Sequence, residues 1–140
     1  MKDSSTIQTA VRGAVGTGTP HESAPKHVSG KAIYLDDMPV PADCLHLAIG
    51  QSEKAHARIV SMNLEAVRAA PGVVGVFTHK DVPGVNDVGP IIPDDPMLVA
   101  DTAQHVGHAL FIVAATNRKA ARAAARLAKV EYEELPALLT

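Results

Sequence analysis

Residues 106–115 read Val-Gly-His-Ala-Leu-Phe-Ile-Val-Ala-Ala, a run that is apolar on both faces of an extended chain. Val106, Leu110 and Ile112 fall on one side, and Ala109, Phe111 and Val113 on the other. Such a strand is central and covered on both sides. Thr116-Asn117 then opens the best helical pattern in the chain, Arg118 to Ala128. Lys129 to Glu134 returns to alternation, with Val130 and Tyr132 directed inward and Glu131 and Glu133 outward, as in a half-buried closing strand.

Working back from this segment, residues 80–102 carry Pro83-Gly84, Gly89-Pro90 and Pro93-Asp94-Asp95-Pro96 and read as one long irregular excursion. A loop of that length inside a compact domain usually has a function or a partner. Before it, residues 73–79 form a strand. Pro71-Gly72 ends a short helix, Leu64 to Ala70, that Asn63 is placed to cap. Residues 45–52 and 56–62 alternate as strands, and the short connection Glu53-Lys54-Ala55 suits an antiparallel pair. Residues 31–35 read as a further strand, closed by a loop at Asp36-Asp37-Met38-Pro39-Val40-Pro41, where proline denies the ladder its donors. Residues 1–25 are polar and glycine-rich and read as a flexible leader, leaving 26–140 as the folded domain. The class is α+β: a mixed sheet with two packed helices.

Composition limits what such a domain does. Of 140 residues, 23 are Ala and 16 Val, against no Trp, two Tyr and two Phe. So few aromatics argue against a stacking platform for single-stranded nucleic acid. A net charge of −2 gives no basic field for nucleic acid or anionic lipid. No apolar run reaches the ~18 residues of a membrane span. The N-terminus lacks a signal-type apolar core, and the single cysteine, Cys44, excludes an internal disulfide; a reducing, cytoplasmic setting is expected.

The candidate motifs are weak. Gly13-x-x-Gly16-x-Gly18 lacks the flanking strand and helix of a phosphate loop. His105-x-x-His108, placed on a strand, would point its rings to opposite faces, and no third ligand follows by spacing. Asp36-Asp37 and Asp94-Asp95 suit turns better than a cation site. Arg118, Arg122, Arg126 and Lys129 form one basic stripe opposite Leu127, Ala120 and Ala124. It reads as a solvated face, with a salt-sensitive nucleic-acid contact as the alternative. Cys44 has no cationic neighbour to activate it. No catalytic, cofactor-binding or metal-ligating residue is expected in the segment.

The order of several stretches nevertheless resembles a known family. These are His27-Val28-Ser29-Gly30-Lys31-Ala32-Ile33-Tyr34-Leu35-Asp36-Asp37, Leu45-His46-Leu47-Ala48, Ala55-His56-Ala57-Arg58-Ile59, Ala70-Pro71-Gly72-Val73-Val74, Asp81-Val82-Pro83-Gly84-Val85-Asn86, Val106-Gly107-His108 and Val130-Glu131-Tyr132-Glu133-Glu134-Leu135-Pro136. Together they resemble the opening of the molybdenum-binding subunit in the xanthine dehydrogenase and aldehyde oxidase family, nearest its bacterial two-subunit xanthine dehydrogenase branch. His108 is a departure, since the family commonly has Gln there. The resemblance implies an α/β-hammerhead fold and a structural, non-catalytic role. The implied enzyme hydroxylates hypoxanthine or xanthine and passes electrons to NAD. Its cofactors, molybdenum-molybdopterin, 2Fe-2S clusters and FAD, would lie outside this segment. The implied partners are the rest of the molybdenum-binding subunit and the iron-sulfur/FAD subunit, with no nucleic acid and no membrane. An isolated chain is expected to self-associate through its uncovered interfaces. Two alternatives stand beside this: the same domain of an aldehyde oxidase-type enzyme, or an autonomous small-molecule module with the 80–102 loop as its lid.

Overall fold

The structure, a computed structural model, describes Gly16, Gly18 and residues 20–137. Most of the expected leader, residues 1–15, 17 and 19, lies outside the described residues. The chain divides into two compact units between Val40 and Pro41.

In the first unit, α1 spans Ala24–Val28, with Pro25 in its first turn. Gly30, at φ +68°, reverses the chain, and the Lys31 and Ala32 amides both donate to the Lys26 carbonyl. The strand expected at 31–35 does not form. Its first two donors are taken by the helix end, and the Asp37 carboxylate accepts the Tyr34 N–H at 3.1 Å. That local bond closes a single 3-10 turn, Leu35–Asp37, where a ladder would need the donor free. The Tyr34 hydroxyl meets His27 Nδ1 at 2.8 Å.

Among the described residues the second unit holds six strands: β1 His46–Gln51, β2 Ala57–Asn63, β3 Val73–Thr78, β4 Thr102–Ala103, β5 Ala109–Ala115 and β6 Lys129–Glu134. They form two three-stranded antiparallel sheets, ordered β1-β5-β3 and β4-β2-β6. The α+β class holds, but the strands divide where one mixed sheet was expected. In particular, β1 and β2 are not a hairpin. Ser52-Glu53-Lys54-Ala55-His56 has no Gly or Asn to make a tight hairpin turn. Instead Ser52 is buried, its hydroxyl accepts the Lys54 N–H, its amide donates to the His108 carbonyl and its carbonyl accepts the Gly107 amide. These bonds turn the chain out of the first sheet, so β2 enters the second. The same break separates β2 from β3 across the short helix α2, Glu65–Arg68. Asn63 Oδ1 accepts the Glu65 N–H at its start, and Gly72, at φ +81°, follows its end.

β5 is central, as its sequence indicates, with β1 and β3 on either side. Leu110, Phe111 and Val113 of β5 join Val76, Leu64, Val67 and Val99 in the core. The helix α3, Arg118–Ala125, is capped by Asn117, whose Oδ1 accepts the Ala120 N–H at 2.8 Å. It buries Ala121 and Ala124. Leu127, expected on the packing face, is 46% exposed, because the helix ends at Ala125 and the inward stripe runs through the smaller alanines. The face of β1 toward the core carries Ala48 and Gly50. A Cβ at Gly50 would lie 2.1 Å from the Phe111 ring, so only glycine admits that ring.

Candidate functional site

The segment between β3 and β5 is long, irregular and internally built. A 3-10 turn, His79–Asp81, leads into it, with the Thr78 amide donating to Asp81 Oδ2 at 2.7 Å. Beyond it, the Asn86 side chain clamps the two arms of the loop. Its Nδ2 donates to the Leu98 carbonyl at 2.7 Å, and its Oδ1 accepts the Leu98 N–H at 3.0 Å. Leu98 and Val99 anchor the returning arm in the core. Above the clamp, Asp87 accepts the Gly89 and Asp95 amides, and the Val88 amide donates to the Asp95 carbonyl. The loop is therefore held from inside while its apex, Ile91, is 91% exposed. An apolar apex on a prearranged loop suits contact with another surface.

The sequence-level candidates fall as follows. Asp37 caps a turn, and Asp94 and Asp95 lie exposed in the loop, where the Asp95 N–H donates to the Asp87 carboxylate. Gly16 lies at φ +77° among exposed residues, and Gly13 is outside the described residues. Arg118, Arg122, Arg126 and Lys129 are all exposed, as a solvated stripe requires. Cys44 is exposed. Among the described residues, no three His, Cys, Asp or Glu side chains gather as a metal site would need.

His105 and His108 differ from the expectation. They sit in a turn before β5, closed by the His108 amide on the His105 carbonyl, with Gly107 at φ +89°. Their rings therefore come together, stacked at 4.5 Å, where strand geometry would have parted them. His108 is buried, and its Nδ1 accepts the Gln104 N–H at 3.2 Å, which assigns the proton of the neutral ring to Nε2. Nε2 is buried and lacks a hydrogen-bond partner; the Pro96 carbonyl is near enough to favour the charged ring but does not complete a bond. Burial and then the His105 charge hold the His108 pKa below its ordinary value, opposed by Asp95 and the Pro96 carbonyl. A buried neutral histidine leaning on the loop is a support for that loop.

Two open grooves adjoin these elements. One, of about 750 Å3, runs beside β2 and is lined by Ile59 to Leu64, Arg68 and His79 among others. A second, of about 520 Å3, is lined by His56, Gln104, His105 and Pro136. His56 Nδ1 is committed to the Pro136 carbonyl at 2.7 Å. The first groove also holds Ser61, whose hydroxyl donates to the Glu131 carboxylate at 2.8 Å, and the buried Nδ1 of His79 has no hydrogen-bond partner. Residue-by-residue reading of the sequence missed Asn86, the residue that shapes the loop, because its partner is twelve residues away and no local spacing rule reaches that far.

Residues 29–136 match the protein family described as aldehyde oxidase and xanthine dehydrogenase, a/b hammerhead domain. The chain is 44% identical over 127 residues to a xanthine dehydrogenase of Oryza sativa, covering 91% of this chain and 9% of the relative. It is 39% identical to a xanthine dehydrogenase/oxidase of Mus musculus, over 90% of this chain and 9% of that protein. The chain thus spans about a tenth of the length of these curated relatives. Among solved structures, the aldehyde oxidoreductase from Desulfovibrio desulfuricans superposes with a TM-score of 0.77 at 35% identity, over 84% of this chain and 14% of that one. Quinoline 2-oxidoreductase from Pseudomonas putida 86 gives a TM-score of 0.75 at 32% identity, over 89% and 17%.

Proposed function

We propose a role for this chain from one premise: it belongs to the aldehyde oxidase and xanthine dehydrogenase family, whose a/b hammerhead domain it forms. Its role is structural, as a packing domain of the molybdenum-binding part of an oxidoreductase that hydroxylates hypoxanthine or xanthine with NAD as electron acceptor. The observation that carries this is the run of identity to xanthine dehydrogenases, 44% across nearly the whole chain. The Bos taurus aldehyde oxidase 1 match, at 39% identity, supports an aldehyde-oxidising enzyme as the second reading.

The iron-sulfur cofactor of such an enzyme does not fit the donors of this segment. A 2Fe-2S cluster takes about four thiolates, and this sequence has one cysteine. Molybdopterin and FAD would likewise be held by other parts of the enzyme, and no catalytic step is assigned to residues of this chain. The partners are then the remaining domains of the molybdenum subunit and the iron-sulfur/FAD subunit. No helix among the described residues is long and apolar enough to cross a membrane; we place the enzyme in the cytoplasm.

The clamped loop supports an interdomain contact. Deleting residues 84–96 from a molybdenum subunit carrying this chain is expected to weaken assembly with the iron-sulfur/FAD subunit and to lower xanthine turnover. Assembly and turnover equal to the parent would remove the loop from that role. Xanthine and aldehyde turnover measured side by side on the parent separate the two enzyme readings.

A further inference from the structure

The outer face of the first sheet contradicts its own sequence. β5 is apolar on both sides: Phe111 and Val113 join the core with Ala124 of α3 on one, and of the opposite set Leu110 and Ala114 are buried and Ile112 is half-buried. On the other side, strand register aligns Ile49, Ile112 and Phe77 in one row across β1, β5 and β3, and Leu47, Ala114 and Gly75 in the next. Neither row contains a charged or polar side chain. Leu47 is 63% exposed, Ile49 53% and Phe77 46%. Leu45, just before β1, is exposed as well. Single exposed apolar residues are ordinary; a contiguous apolar row spanning three strands marks an interaction surface.

We propose that this face, centred on Leu47, Ile49 and Phe77, is the surface against which a second domain of the same molybdenum subunit packs through an uncharged apolar face. The inference rests on the family role proposed above. Area selects this occupant over a second copy of the chain. The three side chains expose on the order of 300 Å2, within the range of a large functional patch on a monomer. A stable dimer needs about 800 Å2 from each partner, so a symmetric pair through this face would be weak. A domain on the same polypeptide needs less, because the linker supplies an effective concentration of about millimolar. The relatives are about ten times longer than this chain, so they contain such domains. The absence of charge from both rows fits an apolar partner and excludes recognition by ion pairing.

The test uses single-cysteine probes in a Cys44→Ser background: Ile49→Cys, Phe77→Cys and, on the exposed face of α3, Arg122→Cys. Maleimide labelling is timed in the 140-residue chain and in a full molybdenum subunit carrying it as hammerhead domain. Labelling at positions 49 and 77 should slow at least tenfold in the subunit, with position 122 unchanged. A folded, molybdenum-loaded subunit in which positions 49 and 77 label at the free rate overturns the docking face and leaves the family role standing. A subunit that folds with its native domain but not with this chain overturns the family role and the docking face together. A stable dimer of the isolated chain that protects positions 49 and 77 identifies a second copy as the occupant and also overturns the proposal. Ile49→Lys provides an independent arm. It should leave the melting temperature of the isolated chain unchanged while reducing soluble assembled subunit several-fold. An equal loss of stability in the isolated chain would show the face to be internal support, against the proposal.

Discussion

Gly50→Ala tests the packing at the centre of the fold. The added methyl would stand 2.1 Å from two atoms of the Phe111 ring and 2.6 Å from a third. Phe111 is 1% exposed and packs in the core, so its ring has no free end to swing away. Overpacking a close-packed interior costs about 1–3 kcal/mol, and contacts this short place the change at the upper end. A loss of about 3 kcal/mol is a large share of the ~5–15 kcal/mol that holds a domain folded. For a folded unit of this size the midpoint should fall by roughly 10–20 °C. The assay is thermal and urea unfolding followed by far-ultraviolet circular dichroism, on Gly50→Ala, Phe111→Leu and the double variant. Phe111→Leu alone destabilises by removing buried ring atoms, but it opens the space the methyl needs. The double variant should therefore be more stable than the sum of the singles predicts, by about 1 kcal/mol or more. A Gly50→Ala midpoint within about 2 °C of the parent, or strictly additive singles, would refute the reasoning.

Asn86→Ala removes both bonds to the Leu98 backbone, leaving a part-buried N–H and C=O unpaired at a cost of about 1–3 kcal/mol, local to the loop. Amide exchange over residues 87–97 should accelerate at least tenfold while β5 amides keep their protection; uniform acceleration would mean the clamp supports the whole fold. Burial penalises the charge on His108 and holds its folded pKa below the ordinary histidine value. Below about pH 6.5 the unfolded chain therefore binds more protons than the native one, and stability falls as pH drops toward the folded pKa. Above that range the contribution is fully present. His108→Gln should flatten this part of the stability–pH curve, and an unchanged slope between pH 7 and 5 would place its source elsewhere. Asn117→Ala deletes the cap on the Ala120 N–H and should cost about 1 kcal/mol in urea unfolding; a neutral result would mean that water replaces the cap.

What was legible in the sequence was period and punctuation. Alternation located β1, β2, β3, β5 and β6 to within a residue or three, and the caps Asn63 and Asn117 marked helix starts. Pairing was not legible. The five residues between β1 and β2 allow a hairpin by length, but the buried Ser52 hydroxyl and its backbone bonds to Gly107 and His108 route the chain away, and those partners are over fifty residues distant. The strand expected at 31–35 failed for the opposite reason: a local bond from Tyr34 to Asp37 outcompeted a ladder that had no partner strand. The His105 and His108 rings met because Gly107 turns the chain where the apolar pattern suggested a strand already under way.

The alanine and valine content now has a mechanical explanation. α3 lies against the first sheet with Ala121 and Ala124 facing β1 and β5, and β1 answers with Ala48 and Gly50. Small residues on both elements bring backbone close to backbone, and one large ring, Phe111, fills the space Gly50 leaves. Its two wider grooves lie open beside β2 and beside His56, and a narrower one of about 380 Å3, lined by Gly50, Phe111, Ala125, Val130 and Tyr132, runs between α3, β1 and β6. Of the two phenylalanines, one is spent in that core and the other, Phe77, lies on the outer sheet face. An enclosed apolar pocket is usually lined with several aromatic side chains, and this chain has two Phe and two Tyr in all. It does have a rigid inner layer that fixes the positions of Leu47, Ile49 and Phe77. A surface held that firmly loses little conformational entropy on docking, which is the physical advantage of placing an interdomain contact on a sheet face instead of on a loop.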